Sequence, residues 1–198
     1  MPVSLRSTGE VTARVGCRRQ VRKLFILAFL ANVVVTLISL AVLPSRVAIH
    51  YGANGMANGW APNYVNILLM TGTHVLLFCS LYFGHRLTLW FPLKWINLPN
   101  KEYWLSLANK ARTMEKMQGL MLQFGVAVFL FLLVAGLLSL QANMTKPVRL
   151  NQHVFLPALG AFLGYVIWWT IMYFRAFRIP GQSNNTNHQM HSATYRHP

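Results

Sequence analysis

Acidic side chains are what this sequence has least of. Aspartate is absent, and Glu10, Glu102 and Glu115 stand alone against 18 Lys and Arg residues. None of the long apolar runs contains a carboxylate pair, so paired-carboxylate acid–base catalysis inside such a run is excluded. Cysteine is almost as scarce. Cys17 sits in a basic stretch and Cys79 in an apolar one, which leaves neither a metal cluster nor a disulfide framework. No G-x-S-x-G, H-E-x-x-H or Walker-type phosphate loop occurs. Charge of both signs totals 11% of the chain, where a soluble domain carries roughly 25%. Most of the chain is therefore built for a solvent that rejects charge.

Long hydrophobic runs fill the space these absences leave. Leu24–Leu43 is an uncharged stretch of 20 residues, 14 of them Leu, Ile, Val or Phe. Its transfer into lipid as a helix gains roughly 4 to 8 kcal/mol before polar penalties. Val65–His85, Leu120–Leu140 and Val154–Phe174 also lack Lys, Arg, Asp and Glu. Each run is long enough to cross a hydrocarbon core of about 30 Å as a helix, the form in which a lone segment can satisfy its own backbone in lipid. The expected fold is all-α: an integral membrane bundle of four transmembrane helices. The first run has the basic flank of a signal peptide and a passable cleavage site at Ser39-Leu40-Ala41. Its length exceeds the usual 7 to 15 apolar residues of such signals, so it is expected to remain as a span.

The formal charge of +15 is placed beside the apolar runs instead of along a stripe with interleaved aromatics. That pattern favours membrane topology over nucleic-acid binding. Fifteen basic residues lie before the first run, between the second and third, or after the fourth, and only Arg46, Lys146 and Arg149 lie in the other two connections. The asymmetry predicts a cytoplasmic membrane protein with both termini cytoplasmic. It divides the chain into a basic tail (1–23), a membrane domain (24–174) and a polar carboxy-terminal tail (175–198). The first tail is expected to be poorly ordered, and the second, rich in Asn with His188, His191 and His197, disordered.

Residues 44–64 are expected to form an ordered, turn-rich extracytoplasmic loop, given Pro44, Gly52, Asn54, Gly55, Asn58, Gly59, Pro62 and Asn63. In the 87–117 connection, Trp90, Phe91 and Trp95 suit the headgroup region. Beyond them the spacing predicts a cytoplasmic interfacial helix, with Asn97 as N-cap and Trp104, Leu107, Ala111 and Met114 on one face.

Pro44, Ile49, His50, Tyr51, Gly55, Asn58 and Trp60 form the most specific pattern in the chain. A helix-ending Pro, then His-aromatic, a turn Gly and an aromatic, all between two apolar runs, resembles the bacterial domain-of-unknown-function family 1648. A second stretch, Ile96-Asn-Leu-Pro-Asn-Lys-Glu-Tyr-Trp104, is similar to a segment of longer members of that family. Two departures stand out: Ala57-Asn58 replaces the usual Pro-Asp, and Asn63 lies near a usual Lys. The resemblance implies a membrane protein distantly related to toxin-immunity proteins that also act in signalling.

Read by chemistry alone, His50, Tyr51, Asn54, Gly55, Asn58 and Trp60 fit either a small binding site or a set of caps and turns that satisfies the loop backbone, the plainer role. Zinc would need three or four ligands, so no metal and no other cofactor are expected. Within the spans, Asn32, Thr36 and Ser39 share one helix face and His74 lies near the middle of the second run. Intramembrane polar groups mark functional sites or, more plainly, hydrogen bonds between helices. Gly160-x-x-x-Gly164 permits close helix approach, within the bundle or in a homo-oligomer. Asn143-Met-Thr145 fits a glycosylation sequon but hugs the membrane. The expected function is non-enzymatic: sensing, binding or immunity toward an unknown peptide or small-molecule ligand. The alternative is a small-solute or ion transporter, or a subunit of one. The expected partners are the lipid bilayer and that ligand, without nucleic acid.

Overall fold

The computed structural model describes residues 8–87 and 90–180. In chain order these form α1 (Thr8–Val42), β1 (Arg46–Tyr51), β2 (Ala57–Pro62), α2 (Asn63–Leu87), a 3-10 turn (Leu93–Trp95), α3 (Lys101–Trp104), α4 (Lys110–Asn143) and α5 (Gln152–Ala176). The four long helices are apolar enough to span a membrane. The all-α membrane bundle read from the sequence is the architecture, with a small two-stranded sheet added. The helices alternate in direction, so the β1–β2 hairpin and the α4–α5 connection share one end. The segment around α3 and the end of α5 share the other, called here the basic end.

Three local expectations need correction. The 44–64 loop is an antiparallel hairpin whose register runs from Arg46 opposite Pro62 to Tyr51 opposite Ala57. Its glycines and asparagines hide a strand signal, and neighbouring elements supply the pairing that propensity does not. The basic segment before Leu24 is helical from Thr8 and continuous with the span. Extending a helix that already exists avoids the cost of nucleation. There the Arg18 guanidinium pairs with Glu115 at 3.0 Å and Arg22 lies over the Tyr82 ring. At about 1.5 Å per residue, the 35 residues of α1 and 34 of α4 each run about 50 Å, well past a hydrocarbon core.

The interfacial helix is the third correction. Only Lys101–Trp104 is helical there, the chain breaks before Lys110, and Leu107 is fully exposed while Trp104 is buried. Asn100, not Asn97, precedes the turn, in a left-handed conformation with φ 53°. This segment is spent on clasping the end of α5. Trp104 Nε1 and Asn100 Nδ2 both donate to the Phe177 carbonyl, at 2.7 and 2.9 Å. Lys116 donates to the Ala176 carbonyl and sits over the Trp104 and Phe177 rings. Tyr173 donates to the Asn97 carbonyl at 3.2 Å, and Thr113 to that of Trp104 at 2.6 Å. Helix ends leave carbonyls unpaired, and a cation there also suits the helix dipole. The expectations for residues 1–7 and 181–198 lie outside the described residues.

The buried core sits toward the basic end. Phe25, Ala28, Leu122 and Phe129 form its centre, edged by Phe78 and Tyr82. The Phe25 ring lies 5.3 Å from Phe78 and 5.4 Å from Phe129, centre to centre. Gly125 admits this packing: a Cβ there would fall 2.7 Å from Phe25 Cδ2. By contrast α5 leans chiefly on α4 and buries no residue fully. Trp169 Nε1 donates to the Leu120 carbonyl at 3.2 Å, and Tyr165 to that of Gln123 at 3.3 Å. A Cβ at Gly160 or Gly164 would meet nothing, so their face of α5 is open.

Candidate functional site

The hairpin is fastened over the bundle by a residue the sequence offered only as an accidental sequon. Asn143, at the last turn of α4, is buried. Its Oδ1 accepts from the Ala48 amide at 2.7 Å, and its Nδ2 lies within 3.1 Å of the Ala48 carbonyl, the Ser139 carbonyl and the Tyr51 hydroxyl. One side-chain amide thus mimics a neighbouring strand for β1. A short asparagine near the end of an apolar run, one turn after Ser139, was the only signal in the sequence.

A second fastening holds the hairpin tip. Leu150 donates its amide to the Gly55 carbonyl at 2.8 Å, Ala57 to that of Val148 at 3.2 Å, and Gln152 Nε2 to that of Ala53 at 2.6 Å. Gly55 has φ 79°, and a Cβ there would lie 2.9 Å from the Leu150 carbonyl oxygen, so glycine is required twice over. Asn54 accepts from the Met56 amide at 3.0 Å, a local turn contact.

The strand pairing carries two irregularities, with Ile49 as the extra residue in β1 and Asn58 in β2. Bulges of this kind re-aim side chains that strict alternation would send to opposite faces. As a result Ile49, His50 and Tyr51 all line one cavity. Asn58 Oδ1 lies 2.5 Å from His50 Nδ1, a hydrogen bond that fixes the ring. Gly59, opposite His50, has no room for a Cβ, which would lie 2.7 Å from that of His50. Burial pushes the Tyr51 phenol above its ordinary value, against the opposing effect of its contacts with Ser139 and Asn143.

The cavity below the hairpin measures about 380 Å³, within the range of small-molecule sites. It lies between α1, α2 and α4, with Leu150 and Phe155 closing the side toward α5. Asn32, Thr36 and Ser39 of α1 and Asn66 and His74 of α2 supply its polar wall. Asn32, His50, Tyr51 and His74, two separate groups in the sequence, therefore come together around one space. Asn54, Gly55, Asn58 and Trp60 do not line it. The first three build the hairpin, and Trp60 stands 43% exposed on it. Asn66, Ser139 and Asn143 were not singled out as candidates, because a single polar residue in an apolar run carries no spacing signal.

The polar wall divides by how its groups are satisfied. Asn32 bridges helices, its Nδ2 donating to the Ala28 and Phe129 carbonyls at 2.8 Å each. That is the plainer role anticipated for such residues. His74 departs from it: the side chain is 6% exposed and its Nδ1 has no hydrogen-bond partner. Below it the Phe25–Phe129 core fills the bundle, so the cavity belongs to the hairpin half. Among the described residues no three His, Cys, Asp or Glu side chains cluster to hold a metal ion.

Residues 27–73, less than half of the chain, match the family model described as Domain of unknown function (DUF1648). The match bears out the resemblance over the span–hairpin–span segment, which contains every α1 and β1 residue of the cavity wall and stops one residue short of His74. No curated protein and no solved structure matches the chain.

Proposed function

We propose that this multi-pass membrane protein, which carries DUF1648 over residues 27–73, is a non-enzymatic module that binds a small ligand in the cavity beneath its hairpin. In this reading binding is its means of sensing or of immunity. The observation that carries it is the cavity itself, where Asn32, Thr36, Ser39, His50, Tyr51 and His74 meet beneath the hairpin. The Thr36 and Ser39 hydroxyls on the wall donate to carbonyls of their own helix, so neither is paired with a histidine as an activated nucleophile would be. The basic asymmetry supports the hairpin on the outer side and both termini inside, and the family resemblance supports a bacterial cytoplasmic membrane.

A photoreactive diazirine-bearing decane, added to the full chain in phosphatidylcholine nanodiscs, tests the site. The expected label falls on the Thr36–Ser39 segment and drops about tenfold in Gly136→Phe, whose side chain would occupy the cavity. Equal labelling in the variant, with its helical content and Tm unchanged, would overturn the reading. Transport is the second reading, favoured by the polar ladder from Ser39 to Asn32 that leads into the bundle. Solute flux in proteoliposomes that vanishes in His74→Ala would favour it over binding alone.

A further inference from the structure

Building on the cavity reading, the hydrogen bonds of its wall assign the ligand's chemistry. Three side chains of α1 face the space at Asn32, Thr36 and Ser39, and each has already spent its donor hydrogens. Both N–H groups of Asn32 go to the Ala28 and Phe129 carbonyls. The Thr36 hydroxyl donates to the Asn32 carbonyl at 2.9 Å, and that of Ser39 to the Val35 carbonyl at 2.8 Å. What remains toward the cavity is a ladder of acceptors: one amide oxygen and two hydroxyl oxygens. The two carbonyl partners of Asn32 also settle which way its amide points. Opposite, His74 is 94% withdrawn from contact with solvent (6% exposed) and its Nδ1 is unpartnered.

The rest of the wall sets two further conditions. None of the lining residues is Lys, Arg, Asp or Glu, so an ionised group would enter an apolar region without a counter-charge, at a cost of several kcal/mol. Val35, Ile67, Leu132, Leu140 and Phe155 give a broad apolar surface that suits an apolar body, and Asn66, Ser139, His50 and Tyr51 add polar groups elsewhere on the wall. We propose that the cavity binds an uncharged amphiphile whose hydrogen-bond-donating head, a hydroxyl or amide N–H, meets the Asn32–Thr36–Ser39 ladder while its apolar body packs against the opposite wall. Such a molecule is found both as a free alcohol and as a hydroxyl-headed lipid of the bilayer.

Competition against the diazirine-decane label reads the head group directly. Four C10 competitors serve: 1-decanol, decyl methyl ether (an acceptor only), decanoate and decylammonium. A fifth, monodecanoylglycerol placed in the nanodisc bilayer, separates a lipid source from a free one. The expected result is that 1-decanol or monodecanoylglycerol displaces the label at about tenfold lower concentration than the ether or either ion. In the double variant Thr36→Val, Ser39→Ala that preference should shrink to within about twofold while the label itself persists. Both hydroxyls donate only to carbonyls of their own helix, so the variant is expected to fold. His74→Phe should lose part of the preference on its own. Label in the cavity without head-group preference, or tighter binding of an ion, overturns this inference and leaves the site standing. No cavity label at all overturns the site and the inference together.

Discussion

The two halves of the bundle use the same helices for opposite ends. Toward the basic end, α1 and α4 close on Phe25 and Gly125 around packed aromatic rings that leave no room for a Cβ at Gly125. Toward the hairpin end, the same two helices carry Asn32, Thr36, Ser39 and Ser139 and stand around a space of about 380 Å³. In lipid the hydrophobic effect gives helices no reason to associate, so packing and hydrogen bonds decide where they meet. The contrast teaches that one half holds the helices together and thereby lets the other half stay open. The caps follow the same division: Trp104 of α3 and Lys116 of α4 fasten the end of α5, and Asn143 fastens β1 with a single amide.

Glycine substitutions give the sharpest test of that contrast. Gly125→Val drives two methyl groups into Phe25 and should cost about 3 kcal/mol, as overpacking of a full core does. Gly136→Ala, whose Cβ would meet Val35 Cγ1 at an ordinary 3.7 Å, should stay within about 1 kcal/mol of wild type or gain slightly in helix propensity. Reversible unfolding in mixed micelles measures both, and equal costs at the two sites would erase the distinction between halves.

Asn143→Leu comes next in size. It strands the amide and carbonyl of Ala48, a loss of about 2 kcal/mol, and should speed hydrogen exchange at Ala48 while leaving Phe25 and its neighbours protected. Slowed or unchanged exchange at Ala48 would show that Asn143 does not hold the strand.

The smallest effect is a dependence on alkaline pH. Burial raises the Tyr51 phenol above its ordinary 10.0, so the folded state favours the protonated form. Its contribution is complete below that ordinary value and is lost as pH rises through the raised one. Tm measured across this window should fall more steeply for wild type than for Tyr51→Phe, and parallel curves would mean the phenol is not withdrawn from water.

Several features were legible in residues alone because each rests on one local property. The four apolar runs announce membrane helices by length and charge, and Pro44 through Trp60 announce a specific structure between the first two. Asn32, His50, Tyr51 and His74 were visible as polar or titratable groups where such groups are unusual. The hairpin itself was not legible, since glycines and two bulges break the alternation that marks a strand. Nor was the helical start at Thr8, which depends on the span that follows it. The interfacial helix was overread: periodicity over Trp104, Leu107 and Ala111 is real in the sequence, but the bond from Trp104 to Phe177 redirects the chain.

Sequence alone determined that this protein enters a bilayer, how often it crosses, and which end carries the positive charge, because transfer free energy adds up residue by residue along a single run. Tertiary structure alone decided that His50 and His74 share a space, that Asn143 joins a strand to a helix, and that Phe129 packs into the core and not onto the cavity wall. Those facts depend on which helix faces which and on the partner each donor hydrogen has found, and neither is encoded in any local stretch.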